Sequence, residues 1–173
     1  MAEPCPVLFV CTANICRSPA AEYLARHEYG ENDFWFRSAG FLYDDHPITE
    51  KMTETLDSVG VTGSSKHVSH IVDMETLNAA EFIFTMESRH LRDLTIMDRA
   101  LFAKTVPLTE AAEMLDKPLS REQFSALLAA RQPSAYFDER WDVPDPYKRS
   151  GRHYRQAVDT ISGLVTTVFG NLS

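Results

Sequence analysis

A cysteine and an arginine stand six positions apart where the first apolar segment of this sequence ends: Cys11 and Arg17 in "VLFVCTANICRSP". A loop of this length can curl so that its N–H groups converge on one point, and the Arg17 guanidinium can donate two hydrogen bonds to a tetrahedral oxyanion. The same positive field favours the Cys11 thiolate, the reactive form. The pattern predicts a nucleophile in an anion-binding loop; the alternative is a buried cysteine followed by an unrelated surface arginine.

Two further residues of the loop suit this role. Asn14 is of a type that tolerates a positive φ in a tight loop. Ser18 is placed to donate its hydroxyl to the sulfur. Both therefore favour the functional interpretation of the loop.

An acid for the leaving group is the second requirement of thiolate attack on phosphorus. Asp145 lies between Pro144 and Pro146, which stiffen a loop just before the last helical segment. Asp142 is a rival carboxylate with fewer constraints. An ordinary solvated turn aspartate is the alternative interpretation.

The elements that must position these residues alternate along the chain. Apolar runs predict strands at 6–10, 34–40, 80–86 and 101–108. Helical spacing predicts helices at 18–29, 47–60, 88–97, 120–131 and 151–169. The fold class is therefore α/β, with a parallel sheet covered by helices on both faces. We expect one domain over residues 1–173 and a partly helical insertion at 108–140.

The predicted position of Cys11 agrees with its chemistry. In open α/β sheets, ligands bind beyond the carboxyl ends of the strands, where backbone N–H groups and a helix dipole favour an anion. Cys11 lies at such an end, and the loop after it leads into a helix.

The composition limits the partners. The formal net charge of −8 disfavours nucleic acid and anionic membranes, and no apolar run approaches the length of a membrane span. Three cysteines in a chain of 173 residues without a secretory signal indicate a reducing cytoplasm. The histidines lack metal-ligand spacing with the cysteines, so we expect no metal and no cofactor. We expect a monomer.

The segment "CTANICRSP", from Cys11 to Pro19, together with Asp145-Pro146 near the C-terminus, resembles the low-molecular-weight protein tyrosine phosphatases. Weaker landmarks agree in order: "SAG" at 38–40, His67, and "FTM" at 84–86. The resemblance extends over essentially the whole chain. It implies a four-stranded parallel sheet and metal-independent hydrolysis of phosphotyrosine proteins or small aryl phosphates, through a phosphatase loop after the first strand.

The resemblance also implies a role for each matching residue. Cys11 would be the nucleophile, and Asp145 the general acid and then the general base. Cys16 would trap Cys11 as a reversible disulfide under oxidation. The substrate's aryl group would lie between Tyr147 and either Phe41 or Tyr43. The loop that binds phosphate would consist of Thr12, Ala13, Asn14, Ile15, Cys16, Arg17 and Ser18.

Two departures from the family pattern carry expectations. The family usually has glycine where this chain has Ala13, so a positive φ there would cost on the order of 1 kcal/mol. The stretch 108–140 is longer than the family core needs, and we expect a helical flap that modifies substrate access.

Two other functions remain open from the sequence. An arsenate reductase uses the same fold, but its thioredoxin-linked form needs further cysteines downstream. None follows Cys16, so only a version with a small external thiol is compatible. A non-catalytic module for anion binding or redox sensing is supported only by Ala13.

Overall fold

A four-stranded parallel sheet organises the chain in the computed structural model, which describes residues 3–132 and 138–173. The strands are β1 (Cys5–Val10), β2 (Phe34–Ala39), β3 (Phe82–Thr85) and β4 (Thr105–Pro107). Their order is β2-β1-β3-β4, with each neighbouring pair parallel. Parallel pairing brings the carboxyl ends of the strands to one edge, so the loop after β1 opens there.

Helices connect the strands and cover the sheet. They are α1 (Arg17–Tyr29), α2 (Glu50–Ser58), α3 (Met74–Ala79), α4 (Ser88–Met97), α5 (Leu108–Met114), α6 (Arg121–Ala130) and α7 (Gly151–Asn171). Short 3-10 turns lie at Ser64–Lys66, Arg99–Lys104 and Glu139–Trp141. The predicted α/β class and parallel sheet are confirmed.

Each face of the sheet buries its own apolar cluster. On one face, Phe9 and Phe36 pack against Phe169 of α7, with ring centroids 6.0 and 4.9 Å away. On the other face, Leu8 and Ile83 pack with residues of α3, α4 and the following turn. Alternate residues of β1 thus point to opposite cores, which is why this strand is apolar throughout.

Two predicted elements begin later than expected by three residues or more, whereas the others differ by at most two residues at either end. The strand expected at 101–108 is wrong over its first half, because Asp98 caps a 3-10 turn by accepting from the Ala100 N–H, and only Thr105–Pro107 is strand. The helix expected at 47–60 begins later, at Glu50. Pro47 instead bridges Val68, and the Thr49 N–H donates to the Ile15 carbonyl.

The predicted insertion at 108–140 contains α5 and α6, and α6 begins with a capping box formed by Ser120 and Gln123. Phe124 of α6 packs against Phe82, 5.2 Å between ring centroids, and Arg121 pairs with Glu81. Both partners lie where β3 begins, opposite the loop after β1. The flap prediction is therefore wrong for α6; residues 133–137 lie outside the described residues.

Among the described residues, no helix combines the length and apolar character needed to cross a membrane.

Candidate active site

The loop of residues 11–18 joins β1 to α1, and outside partners hold its backbone carbonyls. The Thr12 carbonyl accepts from the Phe41 N–H at 2.7 Å, and the Ile15 carbonyl accepts from the Thr49 N–H at 2.9 Å. The Asn14 carbonyl accepts from His67 Nε2 at 2.8 Å. The carbonyls are thus directed outward, away from the centre of the loop.

This outward orientation fixes the opposite groups. In a trans peptide the N–H points away from the preceding carbonyl, and the described chain has no cis peptide bond. The N–H groups of Ala13, Ile15 and Cys16 therefore turn inward, toward the side that carries Cys11. Such convergent donors make a site for an anion.

The Cys11 sulfur is itself held by hydrogen bonds. Sγ lies 3.0 Å from Ser18 Oγ and accepts from the Asn14 N–H at 3.3 Å. The side chain is buried, with 2% exposure. Donors around a buried sulfur stabilise its anionic form.

Asn14 holds the loop in shape from behind. Its φ of 57° is in the left-handed region, as its residue type suggests. Its Nδ2 donates to Ser18 at 2.8 Å and to Ser38 at 2.9 Å, and its Oδ1 accepts from the His70 N–H at 3.0 Å. Burial lowers the pKa of His67, so a neutral ring donates to the Asn14 carbonyl.

The backbone constraint that the sequence suggests at Ala13 lies instead at Gly40. Ala13 is not among the described residues with positive φ, so the strain that a positive φ would cause does not arise there. The crowded position is Gly40, where a Cβ would lie 2.7 Å from the Asn14 nitrogen and 2.9 Å from the Ala13 carbonyl carbon. The glycine of "SAG" is needed because the loop packs directly on its backbone.

Arg17 is buried and fixed by three partners. Its NH1 donates to Glu87 Oε1 at 2.6 Å and to the Val143 carbonyl at 2.8 Å, and its NH2 donates to Asp145 Oδ2 at 3.0 Å. Its side chain is only 1% exposed. The guanidinium therefore links the loop to both the end of β3 and the segment around Asp145.

Glu87 supplies a part-buried countercharge, with its side chain 14% exposed. Burial alone would raise its pKa, but hydrogen bonds from Arg89 and Arg17 outweigh burial and hold the pKa below its usual range. Arg89 NH2 also donates to Thr12 Oγ1 at 2.8 Å, and His90 Nε2 lies 3.0 Å from the same oxygen. The first turn of α4 thus holds the start of the loop through hydrogen bonds to Thr12.

The two rival carboxylates have different surroundings. Asp145 is part-exposed and receives Arg17 on Oδ2 and the Tyr147 N–H on Oδ1 at 3.1 Å. Asp142 accepts from the Ser88 N–H at 2.7 Å and from Ser88 Oγ at 3.0 Å, so it caps α4. Only Asp145 lines the cavity above Cys11.

A narrow cavity of about 90 Å³ leads to Cys11. Tyr43, Tyr147 and Leu42 form its outer walls. Phe41 does not line it, because its ring stacks on His90 with centroids 5.7 Å apart; of the two alternatives, Tyr43 lies at the cavity. The other lining residues are Thr12, Ala13, Ile15, Cys16, Arg17 and Asp145.

Cys16 also lines this cavity, beneath Thr49 and Tyr154. Its Sγ lies 3.3 Å from Thr49 Oγ1 and 3.9 Å from the Tyr154 hydroxyl. Burial raises the pKa of Cys16 to about 11, so this sulfur is a thiol near neutral pH. The three cysteines, Cys5 included, are free and buried.

The family model for low molecular weight phosphotyrosine protein phosphatase matches residues 6–116, which include the whole loop after β1. The chain belongs to this family. The matched range ends before Asp145, whose place at the site is seen in its contact with Arg17.

Relatives of this chain have names that give one of two activities, tyrosine phosphatase or arsenate reductase. The chain is 30% identical over 89 residues to the low molecular weight protein-tyrosine-phosphatase Ptp of Acinetobacter johnsonii, 51% of this chain and 61% of the relative. It is 31% identical over 80 residues to arsenate reductase 2 of Staphylococcus haemolyticus, 46% of this chain and 58% of the relative. The matches thus span about three fifths of these relatives.

The similarity of fold to solved structures covers more of the chain than the sequence matches do. The YwlE arginine phosphatase of Geobacillus stearothermophilus superposes with a TM-score of 0.76 over 95% of this chain and 90% of its own, at 23% identity. This likeness concerns the fold alone.

Several residues that lie at the candidate site are not identified as site residues from the sequence. Glu87, Arg89 and His90 follow β3, and their only signal is that charged residues come directly after a strand's carboxyl end. Leu42 follows the "SAG" segment without a chemical signal. Contacts between segments that are distant along the chain bring these residues to the site. Such contacts cannot be inferred from residue types or from their spacing in the sequence.

Proposed function

We propose that this protein hydrolyses phosphotyrosine and related aryl phosphates through a cysteinyl-phosphate, with no metal ion. The observation that carries the proposal is the Cys11–Arg17 loop with Asp145 bound to Arg17 at 3.0 Å over one narrow cavity. A nucleophile, a cation for the phosphoryl oxygens and an acid for the leaving oxygen are thereby within one site.

In the first step, Cys11 Sγ attacks phosphorus and the bond to the aryl oxygen breaks. Asp145, in its protonated form, gives its proton to that oxygen, so the product leaves as a neutral phenol. Arg17 and the inward N–H groups bind the phosphoryl oxygens and stabilise the charge of the transition state. Glu87 and the Val143 carbonyl hold the guanidinium in position meanwhile.

In the second step, Asp145 removes a proton from water, which attacks phosphorus and releases the Cys11 thiolate with inorganic phosphate. Ser18 and the Asn14 N–H stabilise the departing sulfur as they do in the resting site. The cycle returns each group to its starting protonation state.

The walls of the cavity support an aryl substrate. Tyr43 and Tyr147 present aromatic surfaces, and Ile15 and Leu42 are apolar. A phosphorylated guanidinium would favour carboxylates that accept its several N–H groups, and among the described residues one carboxylate, Asp145, lines this cavity. We therefore place phosphotyrosine before phosphoarginine.

Arsenate reduction is the second candidate, because the matched relatives include arsenate reductases. Cys5 begins β1 and Cys11 follows its other end, so six residue steps of about 3.3 Å each separate them. Cys5 thus lies too far away to relay a disulfide, and a small external thiol would be required. The non-catalytic alternative leaves Asp145 without a role.

We propose a reducing cytoplasmic setting and a monomeric enzyme. A thiol nucleophile must remain reduced, and Cys11 and Cys16 line the same cavity, so oxidation would join them as a reversible disulfide. Inactivation by peroxide followed by added reductant tests that disulfide. Reductant should restore the activity of wild type and should not restore that of Cys16→Ser.

The test of the function compares wild type, Cys11→Ser and Asp145→Asn with p-nitrophenyl phosphate and a phosphotyrosine peptide, in EDTA with reductant, near pH 6. We expect turnover by wild type, none by Cys11→Ser, and reduced turnover by Asp145→Asn. Thiol-dependent arsenate reduction without phosphatase activity would favour the reductase. Equal turnover by Cys11→Ser and wild type would refute both enzymes.

A further inference from the structure

The residues after Asp145 form a tight turn that carries two cations. The Arg149 N–H donates to the Pro146 carbonyl at 2.9 Å, which closes the turn. Lys148 has a φ of 59°, a conformation that favours glycine or asparagine. A lysine held in this strained position suggests that its side chain has a use there.

Lys148 lies against Tyr147, one of the residues that line the cavity. Its Nζ lies 5.3 Å from the centroid of the Tyr147 ring, a cation–π distance, and Tyr147 lines the cavity beside Asp145. Arg149 lines an adjoining cavity of about 390 Å³ that also begins at Asp145. Lys51 of α2 donates from Nζ to the Arg149 carbonyl at 3.1 Å. These three exposed residues, Lys51, Lys148 and Arg149, are called the cationic rim below.

The cationic rim is not neutralised by the protein. None of its three residues forms an ion pair with a carboxylate in the part of the chain that the structure describes, although the chain has 25 acidic residues and a net charge of −8. By contrast, Arg17 and Arg89 at the same site pair with Glu87. Asp44, which follows Tyr43, accepts from the Ile71 N–H at 2.7 Å and lies 3.7 Å from His70 Nδ1.

We propose that the cationic rim binds acidic side chains next to the phosphotyrosine, so that the preferred substrates are phosphotyrosine segments rich in Asp and Glu. This inference rests on the proposed function. Neighbouring residues of an extended peptide are about 3.5 Å apart, so residues on either side of a phosphotyrosine in the cavity pass over the mouth. Without the rim, the acidic protein would repel such a segment.

The test uses three peptides of equal length in which the phosphotyrosine is flanked by Glu, Gln or Lys. Each kcat/KM is divided by that of the same enzyme for p-nitrophenyl phosphate, so that effects on chemistry cancel. We expect wild type to prefer Glu over Gln by about three- to ten-fold, with Lys the poorest. Added salt should reduce the preference, since the rim is exposed.

The variant Lys148→Asn with Arg149→Gln removes two rim charges and keeps a residue that accepts positive φ at position 148. Its preference for Glu over Gln should fall to about one. The matched control is Lys117→Asn with Arg99→Gln, which removes one exposed charge after α5 and one from the 3-10 turn before β4, at the opposite end of the sheet. The control should keep the wild-type preference.

The outcomes separate the inference from the function on which it rests. Turnover of all three peptides with equal kcat/KM, or an equal loss of preference in the rim variant and the control, would overturn the rim alone. Absence of turnover of every phosphopeptide by wild type would overturn the proposed function and the rim with it.

Discussion

Asp145 is shared between an ion pair and a proton transfer. Its Oδ2 contacts Arg17, yet the proposed first step needs its carboxyl protonated and directed at the leaving oxygen. A phosphoryl group bound to Arg17 takes over hydrogen bonds of the guanidinium, which makes the exchange possible. The rate enhancement that Asp145 supplies should therefore depend on how much the leaving group needs a proton.

Asp145→Asn should lower kcat/KM far more for phosphotyrosine than for p-nitrophenyl phosphate, because kcat/KM reports the steps up to phosphoryl transfer and not the hydrolysis of the shared intermediate. A tyrosine phenolate has a pKa of about 10 and needs its proton, and general acid catalysis is worth about 10²- to 10⁴-fold. Steady-state kinetics with both substrates measures the difference. Asp142→Asn is the control, because Asp142 caps α4, and it should not change the leaving-group dependence. Equal losses for both substrates in Asp145→Asn would refute the acid role.

His90 makes stability depend on pH. Burial lowers its pKa to about 3, against an ordinary value of 6.5, so the unfolded chain binds the extra proton between these values. Stability therefore falls as pH falls below about 6.5, by up to about 1.4 kcal/mol per pH unit.

Urea unfolding at about pH 6.5 and about pH 5.5 measures this slope. His90→Asn should reduce it by roughly the contribution of one proton, whereas His27→Asn, at an exposed position, should not. An unchanged slope in His90→Asn would show that the buried ring does not govern the acid sensitivity.

At the scale of elements, the end of β2 supports the loop after β1. Gly40 has room for no side chain, because a Cβ would meet the loop backbone at 2.7 and 2.9 Å. The geometry of the inward N–H groups thus depends on a residue that touches no substrate.

Gly40→Ala should displace the loop, lowering kcat at least ten-fold and the free energy of unfolding by about 1–3 kcal/mol. Gly163→Ala is the matched control: it lies within α7, a Cβ there would meet nothing within 4 Å, and alanine favours helix by about 1 kcal/mol. Kinetics and urea unfolding test both variants. Wild-type kinetics in Gly40→Ala would contradict the packing argument.

The elements that the sequence predicts best are those with one dominant signal. α4 has the predicted bounds, because a polar–apolar period covers its whole length. β4 is overestimated because "LFAK" is apolar enough for a strand, while Asp98 and contacts of Lys104 with the carbonyls of Asn78 and Ala80 hold it as a turn. Such tertiary contacts leave no periodic trace in the chain.

At the scale of the whole molecule, stability and chemistry are separated along the sheet. The candidate site lies at the carboxyl ends of the strands, while α6 packs Phe124 against Phe82 where β3 begins. A change in that core should therefore affect folding without altering the reaction.

Phe124→Ala should lower the free energy of unfolding by about 3–5 kcal/mol while kcat and KM stay near wild type at a temperature where the variant is folded. Leu127→Ala, on the same helix but 44% exposed, should change stability by less than about 0.5 kcal/mol. Urea unfolding and steady-state kinetics give both quantities. A changed KM in Phe124→Ala would return α6 to a role in substrate access.

The loop after β1 gives the strongest sequence signal because its residues are consecutive, whereas Asp145 stands out only through the resemblance of Asp145-Pro146 to the family pattern. Glu87, and the choice of Tyr43 over Phe41, could not be predicted, since each depends on the direction of a side chain after a strand end. The position of α6 was predicted wrongly because closeness to Asp145 along the chain does not imply closeness in space.

The most direct test of the central claim is to detect the phosphoryl group on Cys11. Asp145→Asn, which should form the intermediate from p-nitrophenyl phosphate and hydrolyse it slowly, is quenched during turnover and analysed by intact mass and peptide mapping. We expect one phosphoryl group on the peptide that contains Cys11, and none in Cys11→Ala, which has no side-chain nucleophile at this position. Continued turnover with no phosphoenzyme, or a phosphoryl group elsewhere, would contradict the claim.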